Sequence, residues 1–365
     1  MKILFACGGT AGHINPAISI ADILKRRIPG LQAVFVGTPE GMENRLVGAA
    51  GYPIRHIPVE KLRRSFSPRN IGAAFSLLRS FSVAGRILKE EAPDLVLGTG
   101  GYVCYPVLRV ASFRGIPTVL HESNAKAGIA ARALSRHTDL VLLNFPSAER
   151  DFKGAKKTVV SGNPLRQEFY TLSRDEARRR LGLSANALRL VVFGGSLGAE
   201  KLNETVSRAA PRLLSLYPNL TILHAVGQNQ SAEDAADPTG RYETRSYIDD
   251  MPTELFACDA VVCRAGAMTV SEIAAAGAPA ILVPYPKAAG DHQTRNAEAL
   301  SQKGASILLP DANLTPDVLI REMRKILSDR GIREKMREIL SRFRTPDSDS
   351  VILREILALC PGLER

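Results

Sequence analysis

Several short stretches of the chain set glycine turns beside side chains that can bind anions, bind hydroxyls or move a proton. In "ILFACGGTAGHINPA" (residues 3–17), Ile3, Leu4, Phe5 and Ala6 read as a buried strand, Gly8, Gly9 and Gly12 as a sharp turn, and a helix begins at Ala17. A glycine turn between strand and helix lets backbone N–H groups and the helix N-terminus approach a phosphate. Cradling a phosphate requires no imidazole, so His13 adds a second capability: proton transfer or orientation of the loop. "GTGGYVCYP" (98–106) and "GGSLGA" (194–199) repeat the glycine turn after apolar runs. Three such turns ending three strands are more than packing alone requires. The first has GGxxG rather than GxGxxG spacing, and Gly37 and Thr38 stand where a dinucleotide-binding fold carries its ribose carboxylate.

"CRAGAMTVSEIAAAGAPAILVPYP" (263–286) is more specific. A strand ends at Arg264, Gly266 turns the chain, and Thr269-x-x-Glu272 opens a helix. One reading is a capping box, with Glu272 reaching back to the helix start. The other is a turn that receives a diphosphate beside a carboxylate that accepts both hydroxyls of a ribose, a pairing suited to a nucleotide sugar. "GDHQTRNAEAL" follows the next strand, and its His292, Gln293 and Asn296 are neutral groups able to read sugar hydroxyls. "HESNAKAG" sets His121, Glu122 and Asn124 after a strand, but Ala125 stands where the second histidine of HExxH belongs, so a zinc reading fails. His56, His137 and His224 lack organised partners in the sequence and read as surface or core histidines.

The elements that must position these groups alternate throughout between strand and helix patterns, which implies α/β parallel sheets with helices on both faces. In the first half, apolar runs at 3–6, 33–36, 95–97, 118–120 and 140–143 read as strands, with helical patterns at 17–25 and 71–89. "VSGNPLR" (160–166) interrupts the pattern as a domain junction. "LRLVVFGGSLGAEKLNETV" then restarts it, with further strands at 221–225, 260–262 and 280–283 and a surface loop at "TGRYE". The expected organisation is two Rossmann-like doubly wound domains, residues 1–163 and 164–345, facing one another across a cleft. A closing helix at 346–365 returns toward the first. Ligands of such sheets bind beyond the carboxyl ends of the strands, where the glycine turns lie.

Length and composition agree. The chain has 365 residues, 45% hydrophobic and 23% charged, which suits two globular domains. Five scattered cysteines with no CxxC pair point to a reducing compartment and away from a disulfide framework. No apolar run reaches the roughly 18 residues of a spanning helix, and no signal peptide is expected ahead of the first strand. The net charge of +11 is uneven: residues 1–163 hold 22 Lys+Arg against 11 Asp+Glu, and the remainder 26 against 26. The first domain is therefore the one expected to face a polyanion or an anionic membrane.

Taken together and in order over nearly the whole chain, "GGTAGHINPA", "GGYVCYP", "HESN", "GNPLR", "GGSLGAEKLN", "YIDDM", "RAGAMTVSEIAAAG" and "DHQTRN" resemble the MurG family of bacterial peptidoglycan N-acetylglucosaminyltransferases, which are GT-B glycosyltransferases. The resemblance implies inverting transfer of GlcNAc from UDP-GlcNAc to the C4 hydroxyl of the MurNAc-pentapeptide of lipid I, giving lipid II and UDP. It implies no cofactor and no metal, and a peripheral location on the cytoplasmic face of the cell (inner) membrane, with other cell-wall synthesis proteins as candidate partners. Carried over, Thr10, Ala11 and Gly12 touch the donor side, Asn124 the sugar or diphosphate, and Arg166 and Ser196 the phosphates. Ile248 binds uracil through its backbone; Ala267, Met268 and Thr269 line the nucleotide; Glu272 takes the ribose and Gln293 the GlcNAc hydroxyls. The roles of Tyr102 and Asn203 stay open. Ala11 replaces a glycine common in the family, Cys104-Tyr105 a Ser-Gly pair, and His292 a glutamine of some members.

An acceptor alcohol is a poor nucleophile until it loses its proton, so the resemblance gives His13 the role of general base. Asp249-Asp250 is adjacent rather than spaced as a metal-binding DxD, and reads as part of the uracil turn. A UDP-GlcNAc 2-epimerase and a GT-B transferase with another acceptor are the alternatives. Nucleic-acid binding has no recognition motif, no aromatic stacking platform and no tryptophan to support it. The segment 61–89 carries Lys61, Arg63, Arg64, Arg69, Arg79, Arg86 and Lys89, with Arg55 upstream and Glu60 the sole acid between Arg55 and Lys89. At 100° per residue, Ile71, Ala74, Phe75, Leu77, Leu78, Phe81, Ala84 and Leu88 share a broad face, read as partly core and partly membrane-facing.

Overall fold

The computed structural model describes residues 1–59, 69–195, 198–227, 239–345 and 347–364. The chain divides into two compact units, Met1–Leu165 with Asp347–Arg365, and Arg166–Pro346.

In the first unit seven parallel strands, β1 (Lys2–Ala6), β2 (Gln32–Gly37), β3 (Ile54–His56), β4 (Leu95–Gly98), β5 (Thr118–Glu122), β6 (Leu140–Leu143) and β7 (Thr158–Val160), form a sheet in the order β3-β2-β1-β4-β5-β6-β7. Alternate residues of β1 face opposite layers. Ile3 and Phe5 meet Ile14, Ala17 and Ile20 of helix α1 (Ala11–Arg27) and Ile352 and Ile356 of the C-terminal helix Ser348–Leu359. Leu4 and Ala6 meet the other layer, which includes Ala84 and Leu88 of α3 (Arg69–Glu91) and Val107 and Leu108 of α4 (Cys104–Phe113). Between α1 and α3 lies the short α2 (Glu43–Ala49). Burial on both faces explains why these strands read as unbroken apolar runs rather than as alternating patterns.

The first helix starts at Ala11, six residues before the expected Ala17. Gly12 and Pro16 disguise its first turns in the sequence. Pro16 lacks an N–H, but the carbonyl this leaves without a helical partner belongs to exposed Gly12, where water can serve it.

The second unit repeats the plan with β8 (Leu188–Phe193), β9 (Leu220–Ala225), β10 (Tyr242–Arg245), β11 (Ala260–Cys263), β12 (Ala280–Leu282) and β13 (Ser306–Leu308), ordered β10-β9-β8-β11-β12-β13 and all parallel. Its core packs Leu190 and Val192 of β8 against Leu202, Val206 and Leu213 of helix Glu200–Leu216 and Met323 and Ile326 of helix Pro316–Leu327. The expected loop at "TGRYE" is in part an edge strand. Tyr242 is buried there, and its hydroxyl meets His224 Nδ1 at 2.7 Å, an anchor that no local pattern announces. His224 in turn reaches Asn203 Oδ1 at 3.1 Å, so this histidine belongs to an organised buried network.

Both sheets reverse strand order beside their first strand, between β1 and β4 and between β8 and β11. These switch points are where doubly wound sheets bind ligands.

Candidate active site

In the first unit the loops after β1 and β4 leave the sheet side by side and interlock. Thr99 N donates to Ala6 O at 3.2 Å, and Thr99 Oγ1 to His13 O at 2.6 Å. The Cys104 thiol lies 2.9 Å from the carbonyl oxygens of both Ala6 and Gly100 and accepts from Gly100 N at 3.2 Å. Cysteine thus does here what a serine hydroxyl does, and burial pushes its pKa up to about 12, keeping it a neutral thiol. Glycine is required by contact as well as by turn. A β-carbon at Gly101 (φ 86°) would sit 2.3 Å from Gly8 O, and one at Gly100 (φ 111°) 2.6 Å from His13 Cδ2.

His13 is the third residue of α1, half-buried against Gly100, with Nδ1 3.3 Å from both Gly8 O and Thr10 Oγ1. A carbonyl oxygen only accepts, so the tautomer that satisfies it carries its proton on Nδ1 and leaves Nε2 as the basic nitrogen. Thr10 occupies the N-cap without capping, its hydroxyl turned to His13 instead. Ala11 is helical and needs no left-handed backbone, so the alanine is unstrained. Gly12 is exposed on the same turn. Tyr102 lies beside Gly9, and the Tyr105 ring turns edge-on against Phe81 with centroids 6.0 Å apart.

The "HESN" segment ends β5. Buried His121 places Nε2 3.2 Å from Gly162 O, and burial lowers its pKa to about 4, so it is a neutral structural group. Glu122 accepts from Asn124 N (3.0 Å), Asn124 Nδ2 (2.9 Å) and Gly128 N (3.2 Å), which orients Asn124 at the strand end. Burial raises the Glu122 pKa against those bonds.

In the second unit, helix Ala267–Ala276 starts directly after β11, with Gly266 as its N-cap. Thr269 is already its third residue, and no side chain caps the helix, so the capping-box reading is set aside. Ala267, Met268 and Thr269 form the amide-bearing end, and Glu272 follows one turn on. The Glu272 carboxylate makes no hydrogen bond or ion pair with another described residue. Desolvation raises its pKa to about 7, and the Arg166 charge pulls it partly back.

Arg166 is exposed and donates to Asp249 O at 3.0 Å, which ties it to the turn that holds Ile248. Ile248 is buried, and Asp250 caps the next helix by accepting from Thr253 N at 3.2 Å. Gln293 Oε1 accepts from Ala265 N (3.2 Å) and Tyr285 N (2.9 Å), so its Nε2 is the group it can offer outward. Asn296 is fully buried and donates to Ala265 O at 3.2 Å, which makes it part of the framework. Asn203 Nδ2 donates to Val226 O at 2.8 Å, also from a buried position. Ser196 lies outside the described residues.

Two contributors went unread in the sequence. Arg264 Nη1 meets Asp311 Oδ1 at 2.6 Å and the Val283 and Pro284 carbonyls at 3.2 Å, bracing the loops after β11 and β12. Glu43, wholly buried at the start of α2, accepts from Thr38 N at 2.7 Å, Thr38 Oγ1 at 2.8 Å and Gly9 N at 3.3 Å. A carboxylate does therefore reach the end of β2, but from the following helix, and it occupies a glycine-loop amide instead of serving a ribose.

Two doubly wound parallel sheets with glycine loops at both switch points are the GT-B architecture of glycosyltransferases. Residues 3–143 match the Glycosyltransferase family 28 N-terminal domain and residues 189–349 its C-terminal domain. The chain is 41% identical over 336 residues, 91% of its length and 90% of the relative's, to the UDP-N-acetylglucosamine–N-acetylmuramyl-(pentapeptide) pyrophosphoryl-undecaprenol N-acetylglucosamine transferase of Acetivibrio thermocellus. The crystal structure of Acinetobacter baumannii MurG matches with a TM-score of 0.80 at 31% identity, covering 98% of this chain and 99% of that one. The chain belongs to the MurG family within glycosyltransferase family 28. A UDP-GlcNAc 2-epimerase from Neisseria meningitidis shares the fold alone, at 13% identity and a TM-score of 0.66 over 98% of this chain and 100% of that one.

The Glu272 environment makes a prediction about stability. Its folded pKa of about 7 lies above the ordinary 4.5, so rising pH strips the unfolded chain first and stability falls between those values. Glu272→Gln removes that penalty. It should stabilise the protein by about 2 kcal/mol more at pH 8 than at pH 5 in denaturant titrations. Equal gains at both pH values would show that Glu272 ionises as freely as a surface carboxylate.

Proposed function

We propose that the chain transfers GlcNAc from UDP-GlcNAc to the C4 hydroxyl of the MurNAc-pentapeptide of undecaprenyl-pyrophosphate-linked lipid I, with inversion, giving lipid II and UDP. The observation that carries this reading is the Glu272 carboxylate. It is desolvated, has no partner among the described residues, and lies one turn from a helix N-terminus at a switch point. Ribose hydroxyls complete its hydrogen bonding, while the amides at Ala267–Thr269 and the Arg166 guanidinium face the diphosphate. Ile248 offers its backbone to uracil, and Gln293 Nε2 offers a donor to a GlcNAc hydroxyl. Ser196 and Asn124 are assigned to phosphate and sugar, and Thr10, Ala11 and Gly12 to the donor beside His13.

In the reaction, the acceptor C4 oxygen forms a bond to C1 of GlcNAc as the bond from C1 to the β-phosphate oxygen breaks. The electron pair leaves on UDP, where Arg166 and the helix N-terminus stabilise it. The hydroxyl proton passes to His13 Nε2. One displacement converts the α linkage of the donor to a β linkage. Residues 166–346 bind the nucleotide of the donor, and residues 1–165 carry the base, the acceptor and the donor contacts assigned to Thr10, Ala11, Gly12 and Asn124.

The test is transfer of labelled GlcNAc to a short-chain lipid I analogue, with UDP-GlcNAc affinity measured in parallel by calorimetry. Glu272→Ala should weaken UDP-GlcNAc binding roughly 10- to 100-fold. His13→Ala should lower kcat about 10²- to 10⁴-fold with UDP affinity nearly intact. Release of UDP or formation of a 2-epimer without lipid I would contradict the transferase reading. Near-normal kcat in folded His13→Ala would remove that residue as the base.

The acceptor hangs from a membrane lipid, and among the described residues no helix is long and apolar enough to cross a membrane. We infer peripheral attachment at the cytoplasmic face of the inner membrane, through the basic first unit, a reading supported by its excess of 22 Lys+Arg over 11 Asp+Glu in residues 1–163. On α3, Ala84 and Leu88 are core, whereas Leu78 is 67% exposed beside exposed Arg79. Residues 60–68, with Lys61, Arg63 and Arg64, lie outside the described residues, as do the side chains of Arg69, Ile71, Ala74 and Phe75. Changing Arg63, Arg64, Arg79 and Arg86 to Glu should abolish salt-sensitive co-sedimentation with anionic vesicles, since each basic residue contributes about 1 kcal/mol there. Equal sedimentation of variant and wild type would place the membrane contact elsewhere.

A further inference from the structure

Glu43 and His13 grip opposite edges of one peptide group. The Gly9 N–H points to Glu43 Oε2 at 3.3 Å, and the Gly8 carbonyl, in the same peptide unit, faces His13 Nδ1 at 3.3 Å. A trans peptide is planar, with its N–H and C=O directed oppositely, so fixing one edge fixes the other. We propose that Glu43 is a positioning residue for His13: through the Gly8–Gly9 peptide it holds the Nδ1-protonated tautomer and keeps Nε2 as the proton acceptor. This rests on the assignment of His13 as the base.

Three observations carry the proposal. Glu43 is 0% exposed, so the carboxylate meets protein donors and not water. Its Oε1 is seated by Thr38 N and Thr38 Oγ1, which leaves Oε2 to Gly9 N, and bare glycines surround it: a β-carbon at Gly41 would lie 2.1 Å from Oε1, and one at Gly37 2.4 Å from Cγ. The far side of the peptide is blocked too, because Gly101 packs against Gly8 O and leaves no room for a β-carbon. A carboxylate on the N–H edge polarises the amide, and hydrogen bonds in such a chain strengthen one another. The Gly8 oxygen is thereby a better acceptor for Nδ1–H. Carboxylates and carbonyls that orient metal-binding and catalytic histidines do the same work by direct contact. Here a peptide group stands between. The Thr10 hydroxyl, 3.3 Å from Nδ1, can donate or accept and so does not choose the tautomer.

Glu43→Gln separates this role from simple packing. An amide in that pocket cannot accept from both Gly9 N–H and Thr38 N–H, because one of its two positions is an NH₂ donor. Thr38→Val is the companion variant, since it removes one donor to the same carboxylate and leaves the Gly9 contact in place. The readout is the ¹⁵N chemical-shift pair of the His13 ring in the full-length protein, with kcat and UDP-GlcNAc KM measured alongside. Wild type and Thr38→Val should show the Nδ1–H form. Glu43→Gln should shift His13 toward the Nε2–H form and lower kcat about 3- to 10-fold, with KM for UDP-GlcNAc unchanged. An unchanged His13 tautomer in folded Glu43→Gln would overturn the proposal, as would equal tautomer shifts in both variants. Should Glu43→Gln fail to fold, Glu43→Asp, which shortens the reach to Gly9 N, provides the same spectral comparison. Failure of the base assignment itself reads differently: His13→Ala would then retain kcat while the tautomer shift in Glu43→Gln persisted.

Discussion

The first unit depends on one close approach, that of the loop after β4 to the loop after β1. Gly101 lies so near Gly8 O that no side chain fits between them, and Gly100 leaves to His13 the space a β-carbon would take. Parallel pairing of β1 with β4, with Ala6 opposite Gly98, brings these loops together across about ninety residues of chain. The imidazole is therefore set by backbone against backbone. A histidine on a mobile loop would first have to be ordered before it could act, whereas this one is already held.

The second unit works by the opposite device, an unmet demand. Around the switch point the buried or braced polar groups have partners: Arg264 with Asp311, Asn296 with the Ala265 carbonyl, Gln293 with two backbone amides. Glu272 has no hydrogen-bond or ion-pair partner among the described residues, and desolvation raises its pKa to about 7. In the proposed donor complex, ribose hydroxyls would donate to this carboxylate and offset that cost. The two units thus differ physically: one fixes an imidazole by backbone packing, and the other leaves a desolvated carboxylate without a partner among the described residues.

The sequence conveyed the parts of this that are local. Glycine turns after apolar runs were legible because a turn that needs positive φ excludes most other residues, and His13, Glu272 and Gln293 were visible as polar groups beside them. What could not be read was whatever depends on contacts across the sheet. The start of α1 at Ala11 was masked by Gly12 and Pro16, which normally break helices. The carboxylate sought at Gly37 or Thr38 arrives from Glu43, because α2 folds back over the end of β2. His224 gave no sign of partners, since Asn203 and Tyr242 come from a neighbouring helix and strand. Thr269 and Glu272 matched a capping box by spacing, yet the helix begins two residues before Thr269, which voids the motif.

Backbone packing at the first switch point fixes the His13 imidazole, and on the proposed mechanism this readies it for proton transfer. Gly100→Ala is the sharpest probe, because the added methyl is directed at the imidazole, 2.6 Å from Cδ2. In single-turnover transfer from UDP-GlcNAc to a lipid I analogue, the account predicts a rate loss of about tenfold or more with UDP-GlcNAc affinity unchanged. A wild-type rate, or a loss confined to UDP-GlcNAc affinity, would contradict it.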